Sequence, residues 1–332
     1  MSLARWVPSL KRATLYTVLA ATLLVGTGMA WQKIASAMDA KAYPPPGEFV
    51  NMGNYNIHFL KKGIKGPVVV LDAGLGCNHL DWKFVQEALA SQAQVVSYDR
   101  PGYGWSDLSP HPRTSAEIAT ELHEMLRRAH IAAPYVLVGH SFGGMNIRQF
   151  ALQYPEEVAG LVFVDSCHEE QSEKIPEEPA SGTEAWTSLG NPEQSLWWTT
   201  LGVSRFFYNF SPVKKDLNVF PTAVKEAYLT TLKTSKFAKV VQDETVLFDQ
   251  SSLQLKQADR HLKNIPIVVL TAGSPPADDA EDNDKLWTEF HKAIAAKSTN
   301  STHLYAEGSG HFIPWEKPQI VIRAIQLLIP KS

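Results

Sequence analysis

The stretch Gly139-His140-Ser141-Phe142-Gly143 decides the fold of this chain because of the residues on either side of it. The apolar, β-branched run at 135–138 before it is typical of a buried strand, and residues 145–152 after it are typical of a helix. A serine flanked by glycines at a strand–turn–helix junction fits the G-x-S-x-G pattern, in which a strained turn exposes the serine hydroxyl. The glycines let the strand and the helix approach each other closely. Because short patterns also arise by chance, the rest of the chain has to support this interpretation.

Strands and helices alternate on both sides of this turn. The sequence predicts an early antiparallel strand at 54–61, strands at 67–71, 94–98, 160–164, 265–270 and 302–305, and helices at 81–89, 114–130, 285–296 and 321–328. The helix at 114–130 is strongly amphipathic, with Ile118, Leu122 and Met125 on one face. Repeated βα units with short connections predict an α/β protein with a mostly parallel, twisted sheet and helices on both faces.

The alternation stops between His168 and about Asp259. This stretch is helical and rich in aromatic residues, which include Trp186, Trp197, Trp198, Phe206, Phe207, Tyr208 and Phe210. We expect a helical cap inserted between two strands, because an aromatic insertion above strand ends commonly walls a pocket. The alternative is a second small domain without a function of its own.

The N-terminal segment differs from the rest. Twenty uncharged residues separate Arg12 from Lys33, and Arg5, Lys11 and Arg12 form a basic flank before them. At about 1.5 Å per helical residue, this span (about 13–32) matches a hydrocarbon core of about 30 Å. We expect an uncleaved signal-anchor, with the basic flank cytoplasmic and the domain on the non-cytoplasmic side. The alternative is a signal peptide cut near Ala35-Ser36-Ala37, which would release a secreted or periplasmic protein.

Composition excludes some classes of function. The hydrophobic content of 44% and the charged content of 20% are those of a globular protein, and a net charge of −3 without a basic stripe argues against nucleic acid as a partner. The chain has two cysteines, Cys77 and Cys167, and no Cys/His cluster at zinc spacing. We therefore expect no metal and no cofactor. A disulfide between the two cysteines would be compatible with an exported domain.

From Tyr43 onward the chain resembles capped α/β-hydrolases, and in particular membrane-anchored bacterial serine hydrolases whose proline-rich linker leads directly into the domain. The matching segments occur in the family's order and cover nearly the whole domain. They are 43–47 (Tyr-Pro-Pro-Pro-Gly), 71–76, 98–107 (which includes Asp-Arg-Pro-Gly-Tyr-Gly-Trp-Ser), 134–144, 162–171 and 308–318. The resemblance implies an α/β-hydrolase fold and the absence of a cofactor.

The resemblance also implies site residues, and each suits the chemistry. Ser141 is the expected nucleophile, and a hydroxyl needs an adjacent base to attack a carbonyl at neutral pH. That base is expected after the last strand, where His311 lies in Gly308-Ser309-Gly310-His311. Two backbone N–H donors should form the oxyanion hole, one from Phe142 and one, by position, from Leu75. Leu75 lies in Ala73-Gly74-Leu75, where relatives commonly carry His-Gly-x. His140 is expected to point away from the serine's side of the turn, and 99–106 is interpreted as a structural turn with Trp105 or Tyr103 near the pocket.

The acid of the triad has two candidates. The usual position follows the strand at 265–270, where this chain has a displaced acidic run with Asp278 and Asp279. Asp165 ends the strand at 160–164, which is the alternative acid position in capped relatives. We prefer Asp165, because a carboxylate there can orient His311 and stabilise its imidazolium form, and we retain Asp278 as the alternative acid.

These observations predict three parts: a basic flank and anchor or signal peptide (1–41), a hydrolase core (42–168 and 259–332) and a helical cap (169–258). The expected function is that of a membrane-tethered or exported serine hydrolase. It would cleave an ester or related acyl bond of a moderately apolar small molecule through an acyl-enzyme. The alternatives are a serine-dependent C–C hydrolase or perhydrolase, and a non-catalytic binding or signalling protein on a hydrolase scaffold. A dehalogenase or epoxide hydrolase would carry aspartate at position 141.

Overall fold

The computed structural model describes residues 7–175, 192–208, 210–211, 213–258, 262–274 and 282–329. The strands of its eight-stranded sheet are β1 (Glu48–Asn51), β2 (Asn56–Lys62), β3 (Val68–Asp72), β4 (Gln94–Tyr98), β5 (Tyr135–His140), β6 (Val158–Val164), β7 (Ile267–Ala272) and β8 (Ser301–Ala306). Their spatial order is β1-β2-β4-β3-β5-β6-β7-β8. The pairs β1–β2 and β2–β4 are antiparallel, and all later pairs are parallel. The prediction of a mostly parallel sheet is confirmed; β1, with only four residues, was not predicted.

Helices accompany the sheet on both faces and fill the segment between β6 and β7. The described α-helices are α1 (Val7–Ala42), α2 (Lys83–Leu89), α3 (Ser115–Arg128), α4 (Phe142–Gln153), α5 (Gln171–Lys174), α6 (Pro192–Thr200), α7 (Val203–Phe207), α8 (Val213–Asp216), α9 (Thr222–Leu232), α10 (Ser235–Val246), α11 (Phe248–Gln257), α12 (Asp282–Ala295), α13 (Ile313–Glu316) and α14 (Pro318–Gln326). Helix α3 begins where the sequence predicts it, because the Thr114 hydroxyl accepts a hydrogen bond from the Glu117 N–H group.

The core lies on both faces of the sheet, which explains the continuous apolar runs in the parallel strands. In β3, Val68 and Val70 pack into the cluster under α3 and α4, whereas Val69 and Leu71 face the cluster under α2 and α14. Alternate residues of a strand point to opposite faces, and both faces are covered here, so every residue of β3 is buried.

A third apolar cluster joins the carboxyl ends of the strands to the helices between β6 and β7. It brings Leu75 and Phe142 together with Tyr228 of α9, Phe237 of α10 and Phe248 of α11. The aromatic residues expected to wall a pocket divide into two groups. Tyr208 is buried, but Trp197, Trp198, Phe206, Phe207 and Phe210 are exposed. These five lie on α6 and α7 or just after them, whereas α9 to α11 supply the apolar cluster at the strand ends. Trp186 and the expected boundary at 259 lie outside the described residues.

Helix α1 runs through the whole apolar N-terminal segment and ends one residue before Tyr43 and the prolines. Within the described part of the chain, it is the one helix that is long and apolar enough to cross a membrane, judged by length and composition. Residues 11–27 are exposed, whereas Gln32 and Ala35 are buried against the domain. The helix therefore has a projecting half and a docked half.

Candidate active site

Ser141 occupies a strained turn between β5 and α4. Its backbone has φ 53° and ψ −122°, a conformation that residues with a side chain rarely adopt. The backbone N–H of Ser141 donates to the Val164 carbonyl at 3.1 Å, and its carbonyl accepts from Gly144 at 2.9 Å and Cys167 at 3.1 Å. The turn is thus held from the neighbouring strand β6 and from α4. Strain held in this way is a common feature of reactive sites.

The glycines around Ser141 are required by close packing. A Cβ atom on Gly143 would overlap the Asp72 carbonyl of β3, and one on Gly144 would overlap the Ser166 hydroxyl. A Cβ atom on Gly139 would overlap the Gly143 carbonyl. The pattern read from the sequence therefore has the physical basis proposed for it, which is the close approach of strand and helix backbones.

Asp165 and His311 lie next to each other. The Nδ1 atom of His311 is 2.6 Å from the Oδ2 atom of Asp165, although 146 positions separate the two residues. Asp165 follows β6 and His311 lies in the loop after β8, so parallel strands bring both residues to one edge of the sheet. Burial alone would raise the pKa of Asp165, but the hydrogen bond and the charge of His311 outweigh it and lower that pKa to about 2. Asp165 is therefore ionised at neutral pH.

The other Asp165 oxygen is also held. Its Oδ1 atom accepts from the Ala272 N–H at 2.8 Å and from the Trp287 indole N–H at 3.1 Å. The Asp165 backbone has φ 43°, so the extended strand conformation ends before this residue. Trp287 belongs to α12, and nothing in the sequence marked it as part of the site. The alternative acid Asp278, with Asp279, lies outside the described residues.

His140 contacts His311 directly, a role that the sequence interpretation missed. Its Nε2 atom lies 2.8 Å from the His311 carbonyl, and the two ring centroids are 4.6 Å apart. Burial, together with the proximity of His311, lowers the pKa of His140 to about 3, so the ring is neutral and donates from Nε2. The Nε2 atom of His311 is buried and has no hydrogen-bond partner among the described residues. It is the nitrogen that the pair with Asp165 leaves available for proton transfer.

The two expected oxyanion donors belong to segments that adjoin Ser141. Phe142 is the first residue of α4, where backbone N–H groups have no acceptor within the helix. Leu75 follows Gly74, and a Cβ atom built on Gly74 would lie 3.2 Å from both the Ser141 Cβ and the His140 Nδ1. Leu75 and Phe142 are both buried. Preorganised N–H donors in such a water-poor setting suit a developing oxyanion.

A buried arginine holds the loop that carries Leu75. Arg100 donates to the Ala73 carbonyl and, at 2.8 Å, to the Gly74 carbonyl. It also donates to Asp72 at 2.7 Å. Tyr103, from the same turn, accepts from the Gly76 N–H at 3.2 Å. The segment 99–106 therefore does more than form a structural turn, because two of its side chains support the backbone of this loop.

The two cysteines are buried and form no disulfide. The Sγ atom of Cys167 lies 3.6 Å from the Ser141 hydroxyl, so this thiol contacts the candidate nucleophile instead. Burial raises the pKa of Cys77 well above its usual range. The disulfide that an exported domain would allow is thus not formed.

Among the described residues, His58, His79 and Asp99 form the one cluster with the side chains to hold a metal ion. The Nδ1 atoms of both histidines lie 2.8 Å from Asp99 oxygens, and the backbone N–H groups of His79 and Trp105 donate to the same carboxylate at 2.9 Å. Each carboxylate oxygen thus has two hydrogen-bond donors. This is a hydrogen-bonded turn, so we assign the cluster a structural role.

The sequence and the fold together identify the class of protein. Residues 66–318 match the sequence profile of the family described as alpha/beta hydrolase fold. The chain belongs to this family and is a hydrolase.

Individual relatives are distant. The uncharacterized protein YqjL of Bacillus subtilis (strain 168) is 24% identical over 265 residues, which cover 80% of this chain and 84% of YqjL. Several other curated relatives match over less than half of their own length.

Two solved structures illustrate the range of the fold. The epoxide hydrolase CorEH has a TM-score of 0.64 at 22% identity and covers 85% of this chain and 97% of its own. A membrane phospholipase A, described as a bacterial virulence factor, has a TM-score of 0.56 at 18% identity and covers 98% of both chains. At these identities the likeness shows the fold alone.

Proposed function

We propose that this chain is a membrane-tethered serine hydrolase that cleaves an ester or related acyl bond of a moderately apolar small molecule. The observation that carries the proposal is the 2.6 Å pair of His311 and Asp165 beside the strained turn of Ser141. A nucleophile, a base and an acid that orients the base are the parts that serine-dependent acyl transfer needs.

Each residue has a defined role in the proposed reaction. The Ser141 hydroxyl attacks the carbonyl carbon and passes its proton to Nε2 of His311, while the carbonyl oxygen becomes an oxyanion held by the N–H groups of Leu75 and Phe142. Asp165 stabilises the imidazolium form of His311, which then protonates the leaving alcohol as the acyl-enzyme forms. His311 then removes a proton from a water molecule that attacks the acyl-enzyme, and it returns this proton to the Ser141 oxygen as the acid is released.

The residue at position 141 separates this proposal from epoxide hydrolysis, in spite of the likeness to CorEH. An epoxide hydrolase of this fold would carry aspartate at that position, and this chain has serine. The apolar cluster around Leu75, Phe142 and Phe248 supports a moderately apolar substrate. In the same proposal, residues 169–258 act as a cap over the core formed by 42–168 and 259–332.

The proposed tether is α1. Leu23 and Leu24, in its projecting half, are 72% and 74% exposed, which is unfavourable in water and favourable in a bilayer. The basic flank before the span supports a cytoplasmic N-terminus and a domain on the other side of the membrane. Export with cleavage of α1 is the alternative outcome.

A fluorophosphonate, which forms a covalent bond with activated serines, tests the catalytic part of the proposal. We expect labelling of the full-length wild type and none of Ser141→Ala, whereas Ser301→Ala, which removes an exposed serine at the start of β8, should label normally. Ser141→Ala should also lose at least about 10⁴-fold in turnover of 4-nitrophenyl esters of graded acyl length. Comparable turnover in a folded Ser141→Ala variant would refute the assignment.

A further inference from the structure

Five exposed aromatic residues lie on two neighbouring helices, α6 and α7, or just after them, in the segment between β6 and β7. Phe206 contacts both Phe207 and Phe210, with ring centroids 5.7 Å and 5.3 Å apart. Trp197 and Phe210 are 69% and 75% exposed. The aromatic patch, as we call it, consists of Trp197, Trp198, Phe206, Phe207 and Phe210. Soluble surfaces rarely carry so many large apolar side chains together unless another surface covers them.

The aromatic patch lies close to α1. The Leu201 N–H donates to the Trp197 carbonyl at 3.0 Å, so Leu201 lies one turn from the patch. A Cβ atom on Gly28 would overlap the Leu201 carbonyl, which means that α1 and this connection touch backbone to backbone. A Cβ atom on Gly202 would lie 3.0 Å from the Trp31 ring. The glycine at position 28 therefore allows the close contact.

Polar contacts tie the same helices together. Arg205 of α7 donates to Gln32 at 2.7 Å, to Ser36 at 2.8 Å and to Asp39 at 2.5 Å. Gln32 is buried and donates to the Lys233 carbonyl at 2.7 Å. Positions 28, 32, 36 and 39 lie on one face of α1. The aromatic patch and the docked half of α1 are thus joined by several hydrogen bonds and an ion pair.

The position of the docking contacts along α1 sets the height of the aromatic patch relative to a membrane. The uncharged span ends just before Lys33, and the contacts with the domain begin at Gly28 and Trp31, within the last five residues of that span. If the span fills the hydrocarbon core of about 30 Å, this end of the span lies next to the lipid headgroups. Tryptophan is enriched in this interfacial layer, and tryptophan and phenylalanine occur on the apolar face of helices that lie in it.

We propose that the aromatic patch inserts into the interfacial layer of the non-cytoplasmic leaflet, so that the lipid bilayer is the partner of this surface. The inference rests on the tether in the proposed function and adds a second membrane contact next to it. The aromatic patch adjoins α1, whose residues 13–32 lie in the bilayer according to the proposed function. This continuity favours the same bilayer, and not a second copy of the chain, as the partner of the patch. In this arrangement the segment between β6 and β7 faces lipid, and an apolar substrate reaches the site from the membrane.

Site-directed spin labelling of the full-length protein in phosphatidylcholine vesicles tests this directly. Phe206→Cys and Trp197→Cys receive a nitroxide; Cys77 and Cys167 are buried, which limits background labelling. Ile64→Cys is the matched control, because Ile64 is apolar, 87% exposed and lies before β3, at the amino end of the parallel strands. Leu23→Cys reports on the tether. Hydrolysis of a short, soluble ester verifies that each variant is folded.

We expect the labels at positions 206 and 197 to collide with oxygen dissolved in lipid and to be protected from a water-soluble nickel complex. The label at position 64 should show the reverse. Water exposure at 206 and 197 with lipid exposure at 23 would refute the inference and leave the tether intact, whereas water exposure at 23 would refute the tether. Protection from both reagents with spin–spin broadening would identify a second copy as the partner and overturn the inference.

Discussion

Arg100 and Glu244 form a buried, forked ion pair between the core and α10. The Nε atom of Arg100 lies 3.0 Å from Oε1 of Glu244, and its Nη2 atom lies 3.0 Å from Oε2. The same guanidinium also donates to the Ala73 and Gly74 carbonyls, and the Tyr103 hydroxyl donates to Glu244 at 2.7 Å. A helix of the segment between β6 and β7 is thereby connected to the loop that carries Leu75. Planar fork geometry of this kind requires arginine.

We therefore expect Arg100→Lys to act on catalysis through the loop. Lysine keeps the charge, but its three donors on a single nitrogen cannot reach two carbonyls and two carboxylates at once, so the Leu75 N–H should be positioned less well. Removal of a whole oxyanion donor costs about 10²- to 10³-fold in kcat, and we expect a loss of about 10- to 100-fold with a small change in KM. Steady-state kinetics on a soluble ester measure both.

Arg113→Lys is the control for Arg100→Lys. Arg113 is as buried as Arg100 and pairs with Glu121 at 2.6 Å, and it belongs to the segment before α3 instead of the Leu75 loop. Both variants should lose thermal stability, but only Arg100→Lys should lose turnover. Equal losses of kcat in the two variants would mean that the Arg100 network serves stability alone.

The acid of the proposed triad can be identified by isosteric substitution. Asp165→Asn removes the charge that stabilises the His311 imidazolium, and such a change costs on the order of 10⁴-fold in kcat. Asp278→Asn and Asp279→Asn should remain near wild type in kcat. With a pKa of about 2, Asp165 is charged above about pH 4, so its own titration should not appear in the pH–rate profile there. A folded, active Asp165→Asn together with an inactive Asp278→Asn would reverse the assignment.

Asp81 should make stability depend on pH in the unusual direction for a carboxylate. Burial is the main cause that raises the pKa of Asp81 to about 7, although its Oδ2 atom accepts from the Asn78 N–H at 2.8 Å and the Tyr228 hydroxyl at 2.9 Å. Between about pH 4 and pH 7 the folded state keeps this proton and the unfolded state has lost it. The unfolded state binds fewer protons, so the free energy of unfolding falls as pH rises.

Replacement of this carboxyl by an amide should remove that dependence. Asp81→Asn mimics the protonated form, and its stability relative to wild type should rise by up to about 4 kcal/mol between pH 4 and pH 7. Urea unfolding at several pH values measures the difference. Asp243→Asn, at a partly exposed position of α10, should keep the wild-type slope. A difference between Asp81→Asn and wild type that does not change with pH would contradict the assignment.

The proposed tether predicts the behaviour of the whole protein during fractionation. An uncleaved α1 should keep the full-length chain in the membrane pellet after washes with high salt and with carbonate at alkaline pH. Cleavage near Ala35 would separate Gln32 from Arg205 and give a mature N-terminus near Met38. N-terminal sequencing distinguishes the two outcomes, and a soluble protein that begins near Met38 would establish export instead.

The local sequence determined the main elements of the fold. Valine-rich runs predict the parallel strands because both faces of the sheet are buried, and Thr114 marks the start of α3 because its hydroxyl caps the helix. The glycines around Ser141 indicated the turn because each meets a neighbouring backbone or side chain. β1 was missed because four residues give no periodicity.

Only the tertiary structure decided which distant residues meet. Asp165, Trp287 and His311 come together because parallel strands end at one edge of the sheet, and no local pattern encodes that distance. For the same reason, the sequence did not show that His140 contacts the His311 carbonyl. It also did not show that Arg100 donates to a carbonyl of the Leu75 loop. Composition likewise showed that 169–258 is rich in aromatic residues, but it did not show which of their side chains are buried and which are exposed. Periodicity shows which residues share a face, whereas packing against the rest of the chain decides what that face meets.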